Sequence, residues 1–326
     1  MALQAAAETG TPGIEISKAG SGETQEITEG IDKRMRFGVH LSIQGGMAKM
    51  AQTAARLGCE TVQIFSRSPR GGKAKEFEPG DVSMMKKLFD EHNMRPLVIH
   101  APYFMNLASN DPDKRGYSIQ VLAEDLMRAE ILGAGFVVTH IGHKDKEEEP
   151  EAEQALARVS ESINEALTIY SGSVKLLLEN TSGQGQEIGS TFEALGSLIK
   201  ALPAGRVGTC FDTCHAFGQG YDLSDPSAIH GILSSYDKLV GLETLEVVHL
   251  NDSKGTLGSH RDRHDHIGQG SIGMEGFRAI INSPLLRPGM PGIMETPNDS
   301  PTADEENLST VKGLRAFGDN WKSMSL

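Results

Sequence analysis

The chain has 326 residues, enough for one large domain or two ordinary ones, and 38% of them are hydrophobic, which is normal for a globular α/β protein. Its formal net charge of −13 lacks the basic footprint typical of nucleic-acid binding, although bound metal ions would dominate the local field of a site. The sequence contains neither an apolar stretch long enough to span a bilayer nor a secretory signal segment, so we expect a cytoplasmic protein without a membrane partner.

Two features of composition bound the domain organisation. Residues 1–34 are rich in Ala, Gly, Glu, Ser and Thr without an apolar period, which predicts a disordered N-terminal extension before a single domain over 35–326. The three cysteines, Cys59, Cys210 and Cys214, form neither a disulfide framework nor a CxxC site. We interpret them as small buried hydrophobic residues.

From residue 36 short apolar runs alternate with amphipathic segments. The runs predict strands at 36–41, 61–65, 96–100, 136–140, 174–179, 206–212, 245–250 and 292–296. Helices are predicted after them at 45–57, 81–93, 113–132, 151–170, 190–200, 226–240, 274–282 and 302–317. Nearly continuous apolar strands indicate a parallel sheet buried on both faces. Eight strand–helix units therefore predict a (β/α)8 TIM barrel, with an open doubly wound sheet as the alternative.

Histidines and carboxylates stand at or near the ends of these apolar runs. They are His100, His140, Glu179, Asp212, His215, His249, Asp262, His264 and Glu295. Since the carboxyl ends of barrel strands meet at one face, we expect these nine side chains to gather at the mouth of the barrel. A soluble strand has little reason to end in such groups repeatedly, so the pattern indicates a metal cluster.

Imidazole and carboxylate ligands without thiolates favour Zn, Mn or Fe(II). Nine ligands exceed what one ion can use, and three ions sharing bridging carboxylates would leave positions for water and substrate. Two ions about 3.5–4 Å apart are suited to clamp a phosphate during an in-line displacement, so phosphodiester hydrolysis is the predicted reaction class. Asp212 and His215 could serve neighbouring ions, and Asp262 and His264 share one face of an extended segment.

The segments that carry these residues resemble the endonuclease IV family of apurinic/apyrimidinic endonucleases. In chain order, from about residue 36 to 296, they are GVHLSIQGG, VIHAPYFMNL, VVTHIGH, LLENTSGQG, GTCFDTCHAFGQGYDL, VVHLNDSKGTLGSHRDRHDHIGQGSIG and IMETP. Matches of this length and order are far more specific than a single short motif.

The resemblance implies a site of three Zn²⁺ ions, with Mn²⁺ as an alternative metal, acting on double-stranded DNA. His100 and His140 would bind the first zinc, and Glu179 would bridge it to the second and orient the attacking hydroxide as the catalytic residue. The ligands Asp212, His249 and Glu295 would complete the second zinc, and the third would be held by His215, Asp262 and His264. The implied monomeric enzyme cleaves on the 5′ side of an abasic site, leaving a 3′-hydroxyl and a 5′-deoxyribose phosphate, and clears blocked 3′ ends.

The resemblance also implies DNA contacts from loops on the same face. Tyr103 and Phe104 stand where the family inserts side chains into the duplex, and other contacts are expected from Arg70, Lys254, Arg261 and Arg263. Their neighbours Arg67, Lys73, Lys75 and His260 offer further basic groups, for which solvated surface charge is the alternative interpretation. The segments differ from the family pattern in two places: RGGKAKEF follows Arg70 where family members often carry an aromatic residue, and Asp265 stands where a second histidine can occur.

Two other interpretations stay open. A sugar isomerase or epimerase of the xylose-isomerase-like group would bind one metal through Glu179, Asp212, His249 and Glu295, but it has no need of the remaining five. A DNA-binding or scaffold protein without catalysis would not require the complete set. Two further histidines have other expected roles: His40 supports the ligands from behind, contacts a phosphate or only packs, and His143 is expected in a loop near the site.

Overall fold

The computed structural model describes residues 35–145 and 152–315, so the disordered extension predicted for 1–34 lies outside the described residues. Eight parallel strands close into a barrel in which each strand pairs with its neighbours in sequence and the last pairs with the first. They are β1 (Arg36–Leu41), β2 (Thr61–Phe65), β3 (Leu97–His100), β4 (Phe136–His140), β5 (Lys175–Glu179), β6 (Val207–Asp212), β7 (Leu245–His249) and β8 (Pro291–Met294). The TIM barrel is confirmed, and the open sheet is wrong.

Helices follow the strands and surround the barrel. They are α1 (Met47–Leu57), α2 (Pro79–Glu91), α3 (Pro112–Leu132), α4 (Ala152–Ile169), α5 (Phe192–Ala201), α6 (Thr213–Gln219), α7 (Pro226–Leu239), α8 (Gly273–Ile281) and α9 (Ala303–Leu314). Their ends follow local chemistry: α3 begins with Pro112 after Asp111, whose carboxylate accepts two backbone N–H groups, and it ends at Gly133 in the left-handed region. Within the described ranges, no helix is long and apolar enough to cross a membrane.

A layer of apolar side chains fills the barrel below its mouth. It comprises Val98, Val138, Leu177, Cys210, Val247 and Ile293, all fully buried. Each lies two residues before one of the predicted metal ligands in sequence. Because side chains two apart in a strand face the same side, the ligands point into the barrel directly above this layer.

Two loops at the mouth contain structure that the sequence did not predict. The loop after β6 opens with the short helix α6, and the loop after β7 forms a two-stranded hairpin, in which Asp252–Ser253 pairs with His264–Asp265. Both elements fix residues of the predicted site, because α6 holds His215 and the hairpin holds His264.

Candidate metal centre

The structure brings all nine predicted ligands together at the mouth of the barrel. Within each group, the ligand atoms lie within 4.8 Å of one another, and the groups are His100–His140–Glu179, Glu179–Asp212–His249–Glu295 and His215–Asp262–His264. These are the three sets expected from the resemblance, and Glu179 belongs to two of them.

Glu179 lies at the centre of the cluster and is fully buried. Its Oε2 is 3.2 Å from Nε2 of His100 and 3.3 Å from Nε2 of His140. Its Oε1 is 2.9 Å from Nδ1 of His249 and 3.3 Å from Nδ1 of His215. One carboxylate therefore faces four imidazoles, with one oxygen toward each half of the cluster.

The third group is built from two loops rather than from strand ends. Asp262 Oδ1 lies 3.3 Å from Nε2 of His215 and 3.2 Å from Nε2 of His264. The two histidines come from α6 and from the hairpin, so the loops after β6 and β7 have to be ordered for this group to exist.

The short helix α6 explains the spacing of Asp212 and His215. Asp212 ends β6, and its Oδ1 accepts the backbone N–H of His215 at 2.7 Å, so the carboxylate caps the helix. Its other oxygen faces Nδ1 of His249 at 3.8 Å. The cap thus ties the third group to the second.

Outer acceptors orient most of the histidines. Ring Nδ1 atoms face backbone carbonyl oxygens: those of His100, His215 and His264 lie 2.7–3.0 Å from the oxygens of Ala101, Asn180 and Glu295. A carbonyl oxygen only accepts, so each of these nitrogens carries the proton and donates it. In the neutral imidazole, the Nε2 atoms, which face the cluster, then carry the lone pairs that a metal ion requires.

Two further observations indicate that these residues could bind a divalent metal ion. Nε2 of His264 is buried and forms no well-aligned hydrogen bond among the described residues, although Asp262 Oδ1 lies 3.2 Å from it, as expected of two atoms that would share a cation. The donors are imidazole and carboxylate groups, which suit zinc or manganese. Cys214 lies near Asp212 and His264, but burial raises the pKa of its thiol to about 12, so the neutral form prevails at neutral pH.

The carboxylates and imidazoles of the cluster shift one another's pKa values. Burial alone would raise the pKa of Glu179, but His249 and His140 hold it well below its ordinary value. Burial would likewise lower the pKa of His264, but Asp262 and Asp212 raise it to about 9. A metal ion entering the site therefore has to displace protons.

A cavity of about 300 Å³ opens above the cluster. It is lined by Tyr103, His140, His215, Asp262, Arg263, His264, Glu295 and Pro297. Its volume is at the lower end of those of small-ligand sites. Tyr103 is 57% exposed, and its ring centroid lies 5.4 Å from that of His100. Phe104 is half-buried, packs against the core and stacks on Tyr117, so of the two aromatic residues Tyr103 is the one that faces the cavity.

The basic residues of the loop after β2 differ in exposure. Arg67 is buried, its Nε donates to Asp125 at 2.8 Å, and one guanidinium nitrogen donates to Glu124 at 2.7 Å. The expectation that Arg67 is available for phosphate contacts is therefore wrong, because a side chain held in a buried ion pair cannot reach a ligand. Arg70, Lys73 and Lys75 are exposed.

The basic residues after β7 lie beside the cavity. Lys254, His260, Arg261 and Arg263 are all exposed, and Arg263 lines the cavity itself. Asp265 stands 4.0 Å from Lys254 and offsets part of its charge. The exposed cations, Arg263 above all, are placed to meet an anionic ligand, and their contacts with DNA remain predictions.

Sequence reasoning missed several buried polar residues that surround the ligands. Asn251 donates to Asp212 Oδ2 at 2.6 Å, Asn180 accepts the N–H of Asp212 at 2.8 Å, and Gln63 contacts His249 and Glu295. Gln63 interrupts the otherwise apolar run after Thr61, which is a signal in the sequence. His40 stands 3.6 Å from Glu295, behind the ligands, and His143 is exposed in the loop after β4.

Comparison with known proteins agrees with the fold and identifies the family. Residues 51–317 match the family described as xylose isomerase-like TIM barrel, which defines the class of protein. The chain is 40% identical to the probable endonuclease 4 of Methanoculleus marisnigri, over 85% of this chain and 98% of that protein. It is 36% identical to the endonuclease IV of Thermus thermophilus, whose crystal structure superimposes with a TM-score of 0.76 and covers 86% of this chain and 98% of that one. The chain belongs to the endonuclease IV family.

A sugar-epimerase-like protein shares the barrel at a greater distance. The structure of a D-tagatose 3-epimerase-like protein superimposes with a TM-score of 0.64 at 19% identity, covering 86% of this chain and 95% of that one. A similarity at that identity shows the fold alone.

Proposed function

We propose that this protein is a DNA-repair endonuclease that hydrolyses the phosphodiester on the 5′ side of an abasic site, leaving a 3′-hydroxyl and a 5′-deoxyribose phosphate. The observation that carries the proposal is the set of three adjoining ligand groups around the buried Glu179, at the floor of a cavity of about 300 Å³. Membership of the endonuclease IV family supports it.

In this proposal the nine ligands would hold three zinc ions. His100, His140 and Glu179 would hold the first, and Glu179, Asp212, His249 and Glu295 would hold the second. His215, Asp262 and His264 would hold the third. When bound, divalent cations neutralise phosphate oxygens and lower the pKa of a coordinated water. Mn²⁺ satisfies the same oxygen and nitrogen donors.

The side chains around the cavity then have distinct tasks. Glu179 orients the attacking water, because it belongs to both the first and the second ligand group, between which that water would be bound. Arg263 at the cavity wall attracts the phosphate, and the exposed ring of Tyr103 offers an apolar face to the duplex where a base is missing. Unstacking is least costly at such a site, so the lesion itself provides selectivity.

The proposal also covers blocked 3′ ends of DNA and the oligomeric state of the protein. The enzyme also removes blocking groups from 3′ ends, because a terminal phosphoester presents the same bond to the same cavity. It works as a monomer, since a single chain supplies all nine ligands. Its cytoplasmic location remains a prediction.

A nicking assay tests the proposal. We expect zinc-loaded protein to cut a duplex with one synthetic abasic site, to leave an end that a polymerase extends, and to lose this activity in chelator. An otherwise identical duplex without the lesion should stay intact, and a duplex ending in a 3′-phosphate tests the second activity. Absence of cutting by fully loaded protein would refute the proposed function.

Metal content separates the nuclease from a sugar isomerase. We expect close to three metal ions per chain by elemental analysis, because three ligand groups are present. One ion per chain, together with epimerisation of a ketose, would favour the single-metal interpretation, which uses only Glu179, Asp212, His249 and Glu295.

A further inference from the structure

Gln63 lies on β2, a strand that carries none of the nine predicted ligands, and its side chain reaches the candidate metal centre. Its side chain is fully buried at the middle of that strand. Burying an amide is costly unless both of its ends form hydrogen bonds. The amide of Gln63 meets this condition through three groups around the centre: Glu295, His249 and His40.

The contacts fix which way the amide points. Its nitrogen lies 2.6 Å from Oε1 of Glu295 and donates a hydrogen bond to it, because an ionised carboxylate only accepts. The same nitrogen lies 3.0 Å from Nδ1 of His40. The amide oxygen therefore points to Nε2 of His249, at 2.9 Å.

This orientation determines the tautomer of His249. An amide oxygen accepts, so Nε2 of His249 carries a proton and donates it. Nδ1 is then the nitrogen with a lone pair for a cation, and it lies 2.9 Å from Glu179, 3.4 Å from Glu295 and 3.8 Å from Asp212. His249 is the reverse of His100, His215 and His264, whose Nδ1 atoms donate to carbonyl groups.

We propose that Gln63 is a positioning residue for the group Glu179–Asp212–His249–Glu295, which it serves by holding His249 in the Nε2–H tautomer and Glu295 at a fixed distance beside it. The inference rests on the metal centre of the proposed function. One amide thereby aligns two of the four ligands of the second ion, from a strand that contributes none.

The first test compares two isosteric or near-isosteric changes. Gln63→Met keeps the length of the side chain and removes its hydrogen bonds. Thr209→Val is the control. Thr209 is fully buried on β6, and its hydroxyl accepts a hydrogen bond from Tyr236 at 2.7 Å. Among the described residues, its side chain forms no hydrogen bond with any of the nine ligands. Both variants remove buried hydrogen bonds in barrel strands, but only Gln63→Met touches the centre.

Metal retention is the measurement. Zinc-loaded proteins are titrated with a chelator, and the ions that remain bound are counted by elemental analysis. We expect Gln63→Met to release one ion per chain at about 10- to 100-fold less chelator than wild type, because groups behind the ligands contribute about this much to affinity. Thr209→Val should release its ions as wild type does.

Each result bears on one claim. Equal retention by Gln63→Met and wild type would overturn the role of Gln63. Loss of retention in Thr209→Val as well would overturn it too, since general weakening of the barrel would then be the cause. If wild type retained no zinc, the proposed function would fail instead.

A measurement on the unaltered protein covers the case in which Gln63→Met does not fold. In zinc-loaded wild type labelled with ¹⁵N-histidine, long-range ¹H–¹⁵N spectra distinguish the two tautomers. We expect His249 to carry its proton on Nε2, and His100, His215 and His264 to carry theirs on Nδ1. A proton on Nδ1 of His249 would overturn the inference.

Discussion

At the residue scale, Glu179 lies at the centre of the ligand cluster and belongs to two of its three groups. Its carboxylate is fully buried and lies within 3.3 Å of four imidazole nitrogens. An amide of the same shape would offer one accepting atom where the carboxylate offers two. The charge shared by two ligand groups would also disappear.

We therefore expect Glu179→Gln to lower the nicking rate on an abasic duplex at least about a hundredfold, as the loss of a group that stabilises the transition state does. Binding of the duplex, measured by fluorescence anisotropy, should be largely retained. Glu246→Gln is the control, because Glu246 lies on β7 and pairs with Lys175 and Arg287 rather than with the centre. Nicking by Glu179→Gln at the wild-type rate would contradict the role assigned here.

Two arginines of the loop after β2 should behave oppositely. Arg67 is paired with the fully buried Asp125, so Arg67→Met removes the ion-pair partner of a buried charge and should cost about 3–5 kcal/mol of unfolding free energy. Arg70 is exposed, so Arg70→Met should change stability by less than about 0.5 kcal/mol. If Arg70 contacts a phosphate, its variant should also lower the salt slope of DNA binding by about 1. Denaturant unfolding and binding at several salt concentrations distinguish the two, and equal stability losses would be the contrary result.

At the element scale, one side chain joins the two ends of the loop after β7 by hydrogen bonds. Asp252 is buried, and its two oxygens accept N–H groups from Ser253, Gly268, Gly270, Ile272 and Gly273 at 2.8–3.3 Å. The segment between its contacts carries Asp262 and His264, so the third ligand group depends on this clasp.

Asp252→Asn should loosen the loop, since an amide nitrogen replaces an oxygen that faces several N–H donors. We expect about 3 kcal/mol lower stability and the loss of one metal ion per chain, with the other two retained. Denaturant unfolding and elemental analysis are the measurements. Asp225→Asn, at the exposed start of α7, is the control that should alter neither. Full metal content in Asp252→Asn would show that the loop is held by other contacts.

The strands and most of the site could be predicted from the sequence because their signals are local. Strands buried on both faces are apolar throughout, and a ligand such as His140 or Glu179 ends such a run. The pairing of Arg67 with Asp125 could not be predicted, because a basic residue in a loop has the same sequence pattern whether it is paired or free. Asp252 was missed for a related reason: its donors are backbone groups up to 21 residues away.

At the scale of the whole molecule, the first and last units of the barrel are joined by an ion pair. Arg315, after α9, donates to both oxygens of Glu60 and to the backbone oxygen of Met35. Glu60 also accepts the N–H of Phe37 at 2.9 Å. Burial alone would raise the pKa of Glu60, but Arg315 and this N–H hold it below its ordinary value.

This contact should make stability depend on pH. A carboxylate with a lowered pKa in the folded state stabilises the fold above its unfolded pKa of 4.5, and the contribution is lost as pH falls through the lower folded value. We expect the stability difference between wild type and Glu60→Gln to be largest near neutral pH and to shrink as the solution is acidified below the unfolded pKa. Thermal unfolding of both proteins across this range is the measurement, and a constant difference would contradict the expectation.

The apolar layer beneath the ligands also determines from which side ions and substrate can reach the site. Its six side chains are fully buried, so among the described residues this layer closes the floor of the barrel to ions and water. In the proposed function, metal ions and DNA would then both approach through the cavity at the mouth of the barrel. A duplex seated over that entrance would act as a lid on the metals, and the enzyme would be most resistant to chelators while it is engaged on damaged DNA.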